Sequence, residues 1–226
     1  RFYLDRGLRM NPVEIDKREM DNADFGTLVH DALEAFARDD EARELSDAGK
    51  IRKVLHDELD RRLERQFGRT LSTPLVIQRA SARKRLGWWA EVEAAEREAG
   101  WRILEPESSF GSEDWPFEIG GVTISGRIDR IEEHPDHGPR VIDFKTFSPG
   151  SGRSRRTVDQ YHLAKLKRSE SPDEFPEWML WEDPDGKWRR GTDLQLPLYL
   201  LAMREREGVD RPVTAAYATL GKAEAE

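Results

Sequence analysis

The chain has 226 residues, 37% of them hydrophobic and 36% charged, with a formal net charge of -8 and no cysteine. The missing thiols exclude disulfides, thiolate zinc sites, iron-sulfur clusters and a cysteine nucleophile. The acidic balance excludes a protein that coats nucleic acid by bulk charge, so phosphate binding would need local Lys and Arg.

Seven Trp and nine Phe interspersed with the charges mark a packed chain, and the length suits one large domain over 1–226. The absence of cysteine fits a reducing cytoplasm as the expected location; no apolar run is long enough to span a membrane and no signal peptide opens the sequence. The first residue is Arg1 and not Met, from which the expectation is a piece of a longer protein.

Residues 1–100 read as mainly helical. Phe25, Leu28, Val29, Leu33 and Phe36 recur at helical spacing, with Asp21, Asn22 or Asp24 available as an N-cap. Ile51, Leu55, Leu59, Leu63 and Phe67 step by four, and Gly68 supplies a stop. A third helix is expected from Pro74 to Gly100, with Pro near its start and Gly at its end.

Beyond Gly100, β-branched and aromatic residues broken by Gly and Pro predict strands over 101–110, 117–131 and 140–147. The turn His134-Pro135-Asp136-His137-Gly138-Pro139 joins the last two as an antiparallel hairpin. A basic loop over 150–156 and a short helix over 157–167 come next; Arg153, Arg155, Arg156, Lys165, Lys167 and Arg168 make this region a candidate nucleic-acid contact or an ordinary solvated face. A smaller hairpin around Asp183-Pro184-Asp185-Gly186 is then expected, with a helix over 194–205 that holds Pro197 near its start and a last strand over 213–220.

The strongest local signal is Val141-Ile142-Asp143-Phe144-Lys145-Thr146. Residues two apart on a strand share a face, so Asp143 and Lys145 project together while Ile142 and Phe144 enter a core. A carboxylate beside an ammonium on a rigid strand can bind a hard metal and order a water next to it. In the preceding strand the hairpin brings Asp129 towards Asp143, and two facing carboxylates repel unless a cation lies between them. The alternative for Asp129 is a surface ion pair with Arg127 or Arg130.

Gly126-Arg127-Ile128-Asp129-Arg130-Ile131, then Ile142-Asp143-Phe144-Lys145-Thr146, then Gln195-Leu196-Pro197-Leu198-Tyr199, resemble the ordered motifs of the RecB-like branch of the PD-(D/E)xK nucleases. Gly26-Thr27-Leu28-Val29-His30 resembles that branch's helical Gly-x-x-x-His motif, and Arg1-Phe2-Tyr3-Leu4 with Gly7-Leu8 resembles the segment before it in AddB-type domains. The resemblance reaches both ends of the chain. It departs from many AddB-type domains in lacking the four cysteines of an iron-sulfur cluster, which leaves Phe2, Tyr3 and Leu4 as candidates to hold the first segment by packing.

The resemblance implies an α/β fold of the restriction-endonuclease-like kind: a central mixed sheet flanked by helices, with an N-terminal helical region at 1–100 and the catalytic sheet and its helices at 101–226. It implies a DNA exonuclease using Mg2+ or Mn2+, acting in recombination or repair on a single strand or unwound end supplied by a helicase. Asp129, Asp143, Lys145, Gln195 and Tyr199 would be the catalytic set. His30, Asp129, Asp143 and the backbone carbonyl of Phe144 would hold metal, with Glu107, chosen over its neighbour Glu105, as an auxiliary ligand. Trp88, Trp89 and Trp181 are candidates for stacking on bases, or else core residues. Two rivals stand beside this reading: an inactive nuclease-fold scaffold that binds DNA or a helicase, and an unrelated acid-base hydrolase that works without metal.

Overall fold

The computed structural model describes residues 18–146, 163–176, 179–183, 185–191, 193–208 and 212–220. Phe2, Tyr3, Leu4, Gly7, Leu8 and the basic loop with Arg153, Arg155 and Arg156 lie outside the described residues. Three long helices come first: α1 (Asn22–Arg38), α2 (Ala48–Phe67) and α3 (Thr73–Glu98). Each starts on a side-chain cap, because the first turn of a helix has N–H groups with no partner inside it. Asp21 and Asp24 form a reciprocal capping box on α1, Asp47 accepts from Lys50 N–H at 2.8 Å on α2, and Ser72 caps α3 with Pro74 in its first turn.

The main sheet is formed by β1 (Arg102–Phe110), β4 (Gly126–His134), β5 (Gly138–Lys145) and β9 (Thr214–Thr219), in the order β1-β4-β5-β9. The first three are antiparallel and β9 runs parallel to β5, so the sheet is mixed. The α/β architecture follows from two apolar faces. Ile142 and Phe144 of β5 join a core with α1, α2 and α3, whereas Val141 of the same strand joins Tyr199, Ala202 and Met203 of helix α4 (Gln195–Glu207). Period-two alternation along β5 thus buries both faces.

Two expectations need correction. The strand expected over 117–131 is three pieces: β2 (Glu118–Ile119) and β3 (Val122–Thr123) make a hairpin through Gly120 and Gly121, at φ 60° and 79°, and β4 begins only at Gly126. The Gly-Gly pair permits a two-residue turn of left-handed backbone, which splits the run. The helix expected to reach Lys167 is instead a strand at its described end, β6 (Leu163–Lys165), paired with β8 (Trp188–Gly191), which also pairs with β7 (Leu180–Glu182). Backbone pairing with a distant segment overrides a weak local pattern there.

Beneath β5 the helical layer and the sheet meet through buried charges. Arg130 is 1% exposed and donates from Nη1 to Glu93 Oε2 at 2.7 Å and to Glu132 Oε1 at 3.3 Å. Glu93 also accepts from Arg97 and from the Trp89 indole N–H at 2.9 Å, and Glu132 accepts from Arg140 Nε at 2.8 Å. The Arg130 guanidinium lies 4.9 Å from the Phe144 ring centroid, and Trp89 meets that ring edge-on at 5.2 Å. Burial alone would push the Glu93 carboxyl up, but Arg130 and Arg97 outweigh it and hold the group below the usual carboxylate range.

A depressed folded-state pKa contributes stability that is present above the unfolded value, about 4.3 for Glu, and is lost as pH falls through the folded value. Glu93→Gln leaves Arg97 and Arg130 buried with half their partner gone, and the expected cost at neutral pH is about 3–5 kcal/mol. Urea denaturation from pH 7 to about pH 3 checks both effects: the variant starts less stable and loses less stability on acidification than the wild type.

Candidate active site

The β4–β5 ladder runs from His134↔Gly138 to Arg130↔Ile142, where the pairing ends. Beyond that point Asp129 Oδ2 accepts a hydrogen bond from Phe144 N–H at 2.8 Å, so a side chain takes the place of a ladder carbonyl. His30, on α1, brings Nδ1 to 3.5 Å from the same oxygen. α1 can lie this close because Gly26, one turn before His30, has no side chain. A Cβ there would stand 3.2 Å from Thr146 Oγ1, at the end of β5.

Asp143 engages α4. Gln195 Nε2 donates to its Oδ1 at 2.6 Å, and Lys145 Nζ lies 2.5 Å from its Oδ2. The ion pair is close but poorly angled, so Oδ2 is a buried oxygen with no hydrogen bond of good geometry. Lys145 Nζ donates to Gln195 Oε1 at 2.9 Å. Gln195 Nε2 also donates to the Tyr199 oxygen at 2.8 Å, and Tyr199 O–H donates to the Arg127 carbonyl at 2.5 Å. One amide therefore reads carboxylate, ammonium and phenol together, and the phenol ties α4 to the strand that carries Asp129. Pro197 is the third residue of α4, where its missing N–H leaves no helical bond unmade.

The electrostatics link the two halves. Burial raises the Asp143 pKa and the Asp129 charge raises it further, against Lys145 and His30. Burial opposes charging His30, but Asp129 and Asp143 overcome it and raise the imidazole pKa above its ordinary value. Burial pushes the Tyr199 hydroxyl up to about 12, so at neutral pH it is a donor.

His30, Asp129 and Phe144 line a cavity of about 490 Å3 with Gly26, Glu34, Glu107 and Arg127. Glu107 has a left-handed backbone, φ 43°, which is uncommon for a residue with a side chain. Its carboxyl is raised by burial and by Glu34 across the cavity, and Arg127 pairs with it at 3.1 Å. Glu105 turns away and pairs with Arg206. The surface ion pairs considered for Asp129 are not formed, since Arg127 engages Glu107 and Arg130 engages Glu93 and Glu132.

Among the described residues, no group of three or more His, Asp and Glu side chains is gathered closely enough to hold a metal outright. The fit to a divalent cation is one of donor chemistry and charge. Carboxylates with one imidazole suit a hard ion such as Mg2+ or Mn2+, the Asp143 pKa is raised in part by the second carboxylate, and Asp143 Oδ2 is buried without a good hydrogen bond. By these criteria the residues match.

Of the aromatic candidates, Trp89 is core, while Trp88 and Trp181 are 47% and 60% exposed. Lys165, Lys167 and Arg168 are exposed. Sequence reasoning missed Arg85, whose Nη1 donates to the carbonyls of Thr146 and, at 3.2 Å, Leu220, fastening the ends of β5 and β9. It also missed Tyr217, whose ring lies beside Lys145. Neither belongs to a short motif, so only the fold could reveal them. Among the described residues no helix is long and apolar enough to cross a membrane.

Comparison with curated proteins gives no match. The description of the PD-(D/E)XK nuclease superfamily matches residues 1–226, and the chain belongs to that superfamily.

Proposed function

We propose that the chain is a divalent-metal-dependent DNA nuclease of the RecB/AddB-like branch, acting as an exonuclease in recombination or repair on a strand supplied by a helicase. The observation that carries this reading is the join between Asp143, Lys145 and Gln195 on one side of the split and Asp129 with His30 on the other. An inactive scaffold has no need to keep an ammonium, an amide and two carboxylates in mutual register. The ordered motifs described above support the RecB/AddB assignment. The whole chain is taken as one nuclease domain.

His30, Asp129 and Asp143, with the Phe144 carbonyl, are the residues that would hold Mg2+ or Mn2+, and Glu107 would assist. When bound, such an ion supplies charge to the phosphate and lowers the pKa of its water. The protein's own part is positioning. Lys145 has three N–H donors, of which Gln195 engages one while Asp143 pairs with its charge, and that charge offsets the phosphate's in the transition state. Gln195 bridges Lys145 and Asp143 through its amide, and Tyr199 fixes Gln195.

Asp143→Ala is expected to abolish metal-dependent cleavage while the chain stays folded, since it removes no side chain from either apolar core. Stability is expected to rise at neutral pH: a carboxyl whose folded pKa is raised costs stability above its unfolded value, and the variant escapes that cost. Lys145→Ala is expected to keep metal binding and lose rate by roughly 100-fold or more, because a charge at the reacting group acts on the transition state. Calorimetric metal binding and DNA degradation with Mg2+, Mn2+ or EDTA check these outcomes. Wild-type cleavage by Asp143→Ala, or cleavage in EDTA, contradicts the proposal.

DNA binding by the isolated chain should be weak and salt-sensitive, because the net charge is -8 and Asp31, Glu34, Glu107 and Asp129 all line the cavity. Titration of labelled single strands at rising salt measures it. Nanomolar affinity that persists at several hundred millimolar salt is the contrary result.

A further inference from the structure

β9 reads Thr-Ala-Ala-Tyr-Ala-Thr, so Tyr217 is its one large side chain. The parallel register sets Tyr217 opposite Asp143 and Thr219 opposite Lys145. The Tyr217 ring centroid lies 5.0 Å from Lys145 Nζ. An ammonium at this distance is attracted by the negative face of an aromatic ring, most strongly where water is partly excluded. Here Lys145 is 22% exposed and Asp143 3% exposed at their side chains.

A lysine at the end of a strand has four rotatable bonds and spreads over many rotamers unless several contacts agree on one position. Gln195 supplies a hydrogen bond and Asp143 an ion pair, and both partners also belong to the proposed machinery. Tyr217 supplies a third contact from a different strand. An aromatic ring takes no proton from the ammonium and offers it no lone pair comparable to a carboxylate oxygen. It therefore restrains the ammonium without competing for the remaining N–H donors, which stay available to a phosphate or a water.

We infer that Tyr217 is a positioning residue of the nuclease site, its ring face holding the Lys145 ammonium at the end of β5 where the reacting phosphate is received. This rests on the role given to Lys145 above. It is the ring, not the hydroxyl, that the geometry requires. Tyr217→Leu keeps bulk but loses the ring face, and is expected to lower kcat on the order of threefold to thirtyfold with little change in KM. Tyr217→Phe is expected to rescue that loss.

The decisive series places 4-fluoro-, 3,5-difluoro- and 3,4,5-trifluorophenylalanine at 217 in the full chain. Fluorine drains the ring's negative face while hardly altering its shape, so log kcat should fall steadily along the series. A role in packing alone predicts a flat series. Independently of activity, NMR of the Lys145 side chain should show a ring-current shift in the wild type and Tyr217→Phe that is absent from Tyr217→Leu.

Lys145→Ala separates the two levels of the argument. If that variant loses cleavage but the fluorine series is flat, Tyr217→Leu is as fast as wild type, or the ring-current shift is missing, the part given to Tyr217 is overturned alone. If Lys145→Ala cleaves at the wild-type rate, the reading of Lys145 fails, and with it the part given to Tyr217.

Discussion

The guanidinium of Arg130 binds the helical layer to the sheet at the point where the sheet opens. It is fixed by Glu93 from α3 and Glu132 from its own strand, and its face covers the ring of Phe144. Phe144 is the residue whose backbone N–H holds Asp129. A movement of Arg130 would thus reach the candidate active site through a single aromatic ring. Desolvating so many charges is costly, and the geometry repays it only if every member keeps its partner. In return the helical layer has one seating on the sheet, and α1, which carries His30, has one distance from β4.

The same packing explains why the acidic residues sit where they do. A ladder of backbone bonds holds β4 and β5 together up to Arg130↔Ile142, and the sheet then opens to let a carboxylate fill the gap. Asp129 looks into the cavity beneath α1, and Asp143 looks towards α4. Each raises the pKa of His30, and Asp129 raises that of Asp143. The protein moderates this crowding with His30 on one side and Lys145 on the other. Both are placed by elements far apart in sequence, which is how one rigid sheet end accumulates charge that no local segment could tolerate.

Much of this was legible before any coordinates. Ile142, Asp143, Phe144 and Lys145 alternate as a strand must, so which pair faces the core and which the chemistry followed from period two. His30, Asp129, Gln195 and Tyr199 became candidates through short ordered motifs, and the structure brings Gln195 and Tyr199, one turn apart, into contact. The strand at Leu163–Lys165 was read as helix because its pairing with β8 is invisible in its own residues. Arg85 and Tyr217 were missed as parts of the site for the same reason. An arginine on a charged helix and a tyrosine on a strand of small residues look ordinary until the fold sets one on two strand ends and the other beside an ammonium. That Asp129 engages the Phe144 N–H and His30 while Asp143 engages Gln195 was likewise hidden, since it depends on where the ladder stops.

The central claim is that the split between β4 and β5 is a metal centre. Crystals grown with Mn2+ and measured near the manganese absorption edge test it most directly, because anomalous scattering locates the ion without reference to activity. The account predicts a peak at the split, within coordination distance of Asp129 and Asp143, about 2.0–2.3 Å for a hard ion and oxygen, with His30 beside it. A peak elsewhere on the chain, or none there at millimolar Mn2+ while Lys145 keeps its pair with Asp143, would contradict it.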